Sequence, residues 1–338
     1  MQTFATGSPQ IMNTIRDAAL QKQLLTRRER LKESISGIQN TDELLSLLQE
    51  VDAALERMDR GTFGICETCH ETIESDRLLV DPLCRNCLDH LSAKERKAME
   101  RDLDLAYQVQ RGLLPKSDFA VEGWDVSYHY DPAGSVSGDY CDMIASEDEP
   151  GSFYFLVGDV TGKGVAASLL MSHLHATFRS LITSHLPVHE LVRRANRIFC
   201  EGTLSSHFAT LVCGKAGPTG EAEICNAGHC LPLHIGKEGV RSLPSTGLPL
   251  GLMSDSSYTS VKMHLSPQES LLLYTDGLSE SRDAEGKQYG EERLTYLAGR
   301  SANSSPDQLI GAYLDDLRTF LPEAKRADDL TLMVVRRG

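Results

Sequence analysis

The chain has 338 residues, 41% hydrophobic and 24% charged, ordinary proportions for a globular protein of about two domains. Acidic residues outnumber basic ones 48 to 34, and the formal charge of -14 weighs against general binding to nucleic-acid phosphates or an anionic membrane. No apolar run approaches the roughly 20 residues that cross a bilayer, and the start lacks the order of a secretory signal, so a cytoplasmic protein is expected.

Residues 1–10 carry little pattern. Over 11–38, Ile11, Ile15, Leu24, Leu25, Leu31 and Ile35 recur near helical spacing, and over 41–60 so do Leu44, Leu48, Val51, Leu55 and Met58. Gly37 and Asn40 fall between, and Asn40 with Glu43 has capping-box spacing. Residues 1–60 are therefore a helical segment, either a hairpin or one helix interrupted at Gly37.

Residues 61–91 hold two Cys-x-x-Cys pairs, Cys66 with Cys69 and Cys84 with Cys87. Two such turns complete a tetrahedral four-sulfur site that suits one structural Zn²⁺, with rubredoxin-like iron or a redox role as alternatives. His70 and His90 are surplus to such a site and read as exposed polar residues. Cys141, Cys200, Cys213, Cys225 and Cys230 lie singly and read as ordinary buried thiols.

Ala53-Ala54-Leu55-Glu56-Arg57, Gly61-Thr62-Phe63-Gly64-Ile65-Cys66, Arg77-Leu78 and the second cysteine pair resemble the zinc finger of the DksA/TraR family, over about residues 40–90. That family acts on RNA polymerase through acidic residues at the tip of a helical hairpin. Residues 36–41 lack an Asp-x-x-Asp pattern, so the resemblance implies a scaffold or interaction module without that activity.

A linker helix is expected within 92–116, opened by a Ser92–Glu95 capping box and stopped by Pro115. Met99, Leu103, Ala106 and Leu113 follow alternating four- and three-residue steps, interrupted at Gln110. Such a stripe is either a coiled-coil seam between two subunits or a face packed on its own domain.

Residues 117–338 mix clustered strands with a few helices, an α+β layered pattern. Strands are predicted at 124–128, 153–157, 208–213, 221–226, 258–265, 271–274 and 330–335, and helices at 165–183, 187–200 and 306–320. Aspartates recur at strand edges: Gly138-Asp139-Tyr140, Gly158-Asp159-Val160, Thr275-Asp276-Gly277 and Asp328-Asp329-Leu330. The turn Gly162-Lys163-Gly164 fails the nucleotide-loop spacing, since three residues separate Gly158 from Gly162 and no Ser or Thr follows Lys163. Four such aspartates suggest a carboxylate cluster neutralised by Mg²⁺ or Mn²⁺; the competing account is a helix cap and independent turns.

The run Ala106-Tyr107-Gln108-Val109-Gln110-Arg111-Gly112-Leu113-Leu114-Pro115 precedes Gly138-Asp139-Tyr140 and Gly158-Asp159-Val160-Thr161-Gly162-Lys163-Gly164. Asn226-Ala227-Gly228-His229, Gly247-Leu248-Pro249-Leu250-Gly251, Tyr274-Thr275-Asp276-Gly277 and Asp328-Asp329-Leu330-Thr331 follow in order. Together they resemble the RsbU/SpoIIE branch of the metal-dependent phosphatases, relatives of phosphatase type 2C. The resemblance implies two stacked antiparallel sheets flanked by helices over 117–338, with two Mg²⁺ or Mn²⁺ ions at one edge. It implies that Asp159 bridges both ions, that Asp276 and Asp328 complete one, and that Asp139 and the Val160 carbonyl serve the other. Asp142 and Asp329 are expected outside the ligand set, Lys163 in a turn or surface role, and His229 in a packing role.

The implied activity is hydrolysis of phosphoserine or phosphothreonine by a metal-activated water, on a phosphorylated regulatory protein such as an anti-anti-sigma factor. The alternative is a non-catalytic, transcription-associated binding protein with the phosphatase-like domain as scaffold. Homodimerisation through the N-terminal and linker helices is a further expectation, as is control of the metal site by the zinc module acting through the linker helix.

Overall fold

The strand β3 (Phe153–Val160) shows how this sequence builds layers. Its residues Phe153, Phe155 and Val157 enter one hydrophobic core while Tyr154 and Leu156 enter another, because side chains alternate across a strand. The same holds for β9 (Ser270–Tyr274), where Leu271 and Leu273 face inward and Leu272 and Tyr274 outward. Both faces of each strand are covered, which is why Phe153–Val157 and Leu271–Tyr274 are apolar without a break.

The computed structural model describes residues 9–35, 42–74, 77–78, 81–91, 93–116, 119–203, 206–321, 326 and 328–338. The expected turn at Gly37 and Asn40, the Asn40–Glu43 capping box and the Ser92 cap lie outside the described residues. The chain forms two compact units, Met1–Arg101 and Asp102–Gly338. The division falls inside the linker helix α3 (Ala93–Leu113).

In the first unit, α1 (Pro9–Ile35) and α2 (Asp42–Asp59) pack through Leu24 and Leu31 against Val51, Ala54 and Leu55. Arg28 lies 3.8 Å from Asp52. The chain reverses between the two helices, so the hairpin is the arrangement realised. A small finger follows, tied by a bridge between Ile65 and Thr72 and ending in a 3₁₀ turn at Leu88–His90.

The second unit is a sandwich of two five-stranded antiparallel sheets. Besides β3 and β9, its strands are β1 (Trp124–Asp131), β2 (Asp139–Ala145), β4 (Ala209–Ala216), β5 (Glu221–Ala227), β6 (Leu233–Gly236), β7 (Gly239–Ser242), β8 (Val261–His264) and β10 (Leu330–Arg337). The sheet orders are β1-β10-β9-β6-β7 and β2-β3-β4-β5-β8. Phe155, Val157 and Val212 of one sheet meet Leu271, Leu273, Met333 and Val335 of the other to form the inner core.

Helices α4 (Gly164–Ile182) and α5 (Val188–Gly202) cover one outer face. Val188, Leu191, Val192, Ala195 and Phe199 form a buried stripe at helical spacing on α5. The 4-residue α6 (Asp276–Ser279) leaves β9, and α7 (Gly290–Arg300) and α8 (Pro306–Phe320) cover the other face. A capping box of Ser305 and Gln308, with Pro306 at the first turn, fixes the start of α8. The hairpin β6–β7 and the helix α7 were absent from the sequence prediction.

The C-terminal part of the α3 stripe packs on its own domain, whereas Met99 on the same stripe is 48% exposed. Gln110 is buried, Leu113 packs against the core beneath α4 and α5, and Leu103 is half-buried. Leu105 and Val109, off that stripe, are 60% and 58% exposed.

Asp142 is fully buried and joins β2 to α4. Its carboxylate accepts from Arg179 Nε at 2.9 Å and Nη2 at 2.7 Å. Removing the guanidinium strands a buried negative charge, so Arg179→Met should lower stability by about 3 kcal/mol. Urea unfolding of the variant beside wild type measures this directly.

Candidate functional site

Strand pairing places the first two aspartates side by side. In the antiparallel β2–β3 register Asp139, which opens β2, lies opposite Asp159, near the close of β3, so both sit at one edge of the sheet. Gly138 packs so closely here that a Cβ would lie 2.9 Å from the Val160 carbonyl oxygen and 3.4 Å from Asp159 Oδ1. Only glycine lets that backbone approach, and the approach brings the Val160 carbonyl to the same edge as the carboxylates.

Asp159 is not a helix cap. The residue preceding α4 is Lys163, which makes no side-chain capping bond, and Gly162 takes a positive φ of 101°. The turn therefore carries the chain from strand to helix without using the carboxylate.

The second pair comes from the other sheet. Thr275 ends β9, and its N–H donates to the Thr331 carbonyl at 3.0 Å; the Thr331 N–H donates to Thr275 Oγ1 at 2.9 Å. Both hydroxyls converge on Asp139 Oδ2, Thr275 at 2.9 Å and Thr331 at 2.6 Å. These bonds cross the sandwich, and Asp276, next to Thr275, and Asp328, three residues before Thr331, lie close enough to Asp159 to raise its pKa. Asp276 and Asp328 line one cavity of about 250 Å³.

The electrostatics follow from this crowding. Burial and the neighbouring Asp159 hold the Asp139 carboxyl well above its usual range, opposed by the threonine hydroxyls. Burial, then Asp276, Asp328 and Asp329, push Asp159 up to about 7. Burial and Asp328 also raise Asp276. Such a cluster is costly without cations to neutralise it. An all-oxygen donor set of carboxylates and one carbonyl fits Mg²⁺ or Mn²⁺.

Residues outside the expected ligand set shape this edge. Asp329 accepts the Ala133 N–H at 2.7 Å and the Gly138 N–H at 2.9 Å, so it clamps the loop before Asp139. Lys163 reaches Asp328, with Nζ 3.2 Å from Oδ2. His229 bonds Thr210 Oγ1 through Nδ1 at 2.8 Å and the Asn226 side chain through its backbone N–H, also at 2.8 Å. Burial pulls its pKa to about 4, which keeps the ring neutral at pH 7.

Gln110 was not singled out for this site by sequence reasoning, although a polar residue breaking an apolar stripe was the available signal. Its side-chain amide donates to the Ser137 carbonyl at 2.7 Å and accepts the Ser137 N–H at 3.0 Å. The linker helix thereby grips the peptide two residues before Asp139. Gln110→Ala should weaken Mn²⁺ binding about tenfold while the fold is retained, read by titration calorimetry with circular dichroism as the control.

In the finger, ligand atoms of Cys66, Cys69, Cys87 and His90 all lie within 4.8 Å of one another. Three sulfurs and one imidazole can hold a single ion, and the donor set fits tetrahedral zinc. This differs from the expected four-sulfur set. Cys84 Sγ instead accepts from Arg77 Nε at 3.3 Å and faces Asp81 Oδ2 at 3.5 Å. Cys87-x-x-His90 has the same spacing as Cys84-x-x-Cys87, so spacing alone could not choose between them. Among the described residues no other group of three or more such ligands is this tight.

The two-sheet sandwich with carboxylates gathered at one edge is that of a phosphatase type 2C domain. Residues 149–338 match the family described as Stage II sporulation protein E (SpoIIE), and the chain belongs to that family. It is 27% identical over 287 residues to protein IcfG of Synechocystis sp., covering 75% of this chain and 44% of that one. To the phosphoserine phosphatase RsbU of Bacillus subtilis it is 25% identical over 245 residues, 72% of each chain. The solved SiaA-PP2C domain of Pseudomonas aeruginosa superposes with a TM-score of 0.64 at 19% identity, covering 72% of this chain and 99% of that one. No helix among the described residues is long and apolar enough to cross a membrane.

Proposed function

We propose that the chain is a Mg²⁺- or Mn²⁺-dependent protein phosphatase that removes phosphate from serine or threonine of a regulatory protein. What supports this is the pairing of Asp139 with Asp159 on one sheet, the bonds from Thr275 and Thr331 of the other sheet to Asp139, and the raised pKa that Asp276 and Asp328 give Asp159. The phosphoserine phosphatase activity in the name of RsbU supports the reading, and a small regulator of the anti-anti-sigma type is the substrate class we propose.

In this reading Asp159 would hold both ions, Asp276 and Asp328 one of them, and Asp139 with the Val160 carbonyl the other. Two ions bound there acidify water and neutralise phosphoryl charge. The chain's own contribution is rigidity and orientation: Thr275 and Thr331 keep one Asp139 oxygen engaged, and Asp329 and Gln110 fix the loop that carries it. A protein nucleophile is not needed. Burial and the nearby Asp276 push the Cys230 thiol up to about 12, so it stays protonated at neutral pH. The finger would hold one structural zinc ion on Cys66, Cys69, Cys87 and His90.

A scaffold without catalysis accounts poorly for a buried carboxylate cluster held at the cost of mutual repulsion. With Mn²⁺ the purified chain should release phosphate from a phosphoserine protein and from p-nitrophenyl phosphate, and a chelator should stop both. A folded, Mn²⁺-saturated chain inactive on both substrates sinks the proposal.

A further inference from the structure

We propose that the loop 248–253 is a docking surface for the substrate, a folded phosphoprotein with apolar side chains beside its phosphoserine; the assignment rests on the phosphatase reading above. Leu248 and Leu252 are each 49% exposed and Met253 is 55% exposed. Single exposed apolar residues are ordinary on a protein surface, whereas three large ones within six positions make a patch that a partner gains by covering.

Backbone pairing ties this loop to the carboxylate edge. The Leu250 N–H donates to the Ala209 carbonyl at 2.7 Å, and the Ala209 N–H donates back to Leu250 at 2.9 Å. Ala209 opens β4 opposite Val160, and Thr210 beside it lies opposite Asp159. Two strand spacings, about 10 Å, thus separate Leu250 from Val160. Gly247 bridges to Ala227 at the close of β5, so the segment runs across the ends of two strands. Leu250 is buried, and Leu248 and Leu252, two positions to either side, are the ones turned to solvent. An interface of ordinary size covers about 800 Å² on each partner, a radius of about 16 Å. A protein centred on Asp139 and Asp159 therefore covers the loop.

The loop is also held in one shape. Asn196 of α5, fully buried, accepts the Gly251 N–H at 2.9 Å and donates to the Met253 carbonyl at 2.8 Å. Gly251 has a φ of 92°, and a Cβ there would lie 2.9 Å from the His207 carbonyl oxygen and 3.0 Å from the Phe199 ring. Apolar side chains carried on a fastened backbone lose little freedom when a partner covers them. A second copy seated on the loop would cover the carboxylate edge as well. The substrate is the occupant compatible with turnover.

The test uses the full Mn²⁺-loaded chain and a double variant, Leu252→Ser with Met253→Ser, whose changes are confined to exposed side chains. The probes are a serine-phosphorylated protein of the anti-anti-sigma type, a short phosphoserine peptide of the same sequence, and p-nitrophenyl phosphate. KM for the protein should rise about tenfold in the variant, the loss that follows when two apolar contacts are removed from an interface. Its kcat, and the hydrolysis of the two small substrates, should stay within about twofold, since neither peptide nor nitrophenol covers the loop. An unchanged KM for the protein overturns the assignment. An equal loss on all three substrates also overturns it, because the loop then supports the metal edge itself. So does a wild-type dimer, seen by sedimentation, that the variant dissociates with no change in KM, since the patch then joins two copies of the chain. The wild type alone gives a reading independent of any variant's folding: kcat/KM should be about tenfold higher for the phosphoprotein than for its peptide, and equal values overturn the assignment. An active wild type with equal values refutes only this inference, whereas an inactive, Mn²⁺-saturated wild type refutes the phosphatase reading itself.

Discussion

Asp159→Asn should leave the chain folded and lower phosphate release by about 1000-fold or more, the loss that follows when several kcal/mol of transition-state charge stabilisation is removed. Asparagine preserves shape at a strand position whose pairing with Asp139 and Thr210 depends on backbone bonds. What it removes is the negative charge proposed to be shared by two ions. Steady-state rates over a Mn²⁺ titration check this, because excess metal should not restore the rate. A variant within tenfold of wild type would show that the shared ligand lies elsewhere.

The same substitution has a signature without metal. Asp159 titrates at about 7 in the folded chain against 3.8 for an ordinary aspartate. Between those values the folded state binds more protons than the unfolded one, so stability from this group is full below about pH 4 and is lost as pH rises through 7. The metal-free wild type should therefore melt at lower temperature at pH 7.5 than at pH 5, and Asp159→Asn should shrink that difference. Raised Asp139 and Asp276 act in the same direction, so some pH dependence will remain.

What the sequence revealed follows from where neighbours lie. Strands such as Leu271 to Tyr274 were legible because both faces are buried and every position is apolar. The β6–β7 hairpin escaped because its strands have four residues each and β7 is largely exposed, leaving no pattern to read. The four aspartates were visible at strand ends, three of them beside glycine. Their fastening was not, since Thr275 and Thr331 reach Asp139 across 136 and 192 residues of sequence. Gln110 is a similar case: its meaning comes from Ser137, 27 residues away. Local spacing can mark candidate ligands, but the groups that orient them are brought in by the sheet topology.

The finger provides the sharpest contrast between spacing and geometry, and its expected effect is correspondingly large. Cys87→Ser and His90→Ala should each release the zinc ion, whereas Cys84→Ser should keep it. Structural zinc contributes about 10–16 kcal/mol in isolated fingers, far more than a segment with few buried side chains can replace. The core here is small: Ile73 and Leu78 pack with the cysteines, and Phe63 is only partly buried. Losing the ion should therefore open residues 61–91 to proteolysis while 102–338 stays protected. Metal content by mass spectrometry and limited proteolysis read the two effects separately. If Cys84→Ser loses zinc and His90→Ala retains it, the four-sulfur arrangement is the true one. Cys84 would then have to leave Arg77, which donates to its sulfur, and Asp81, which accepts from it.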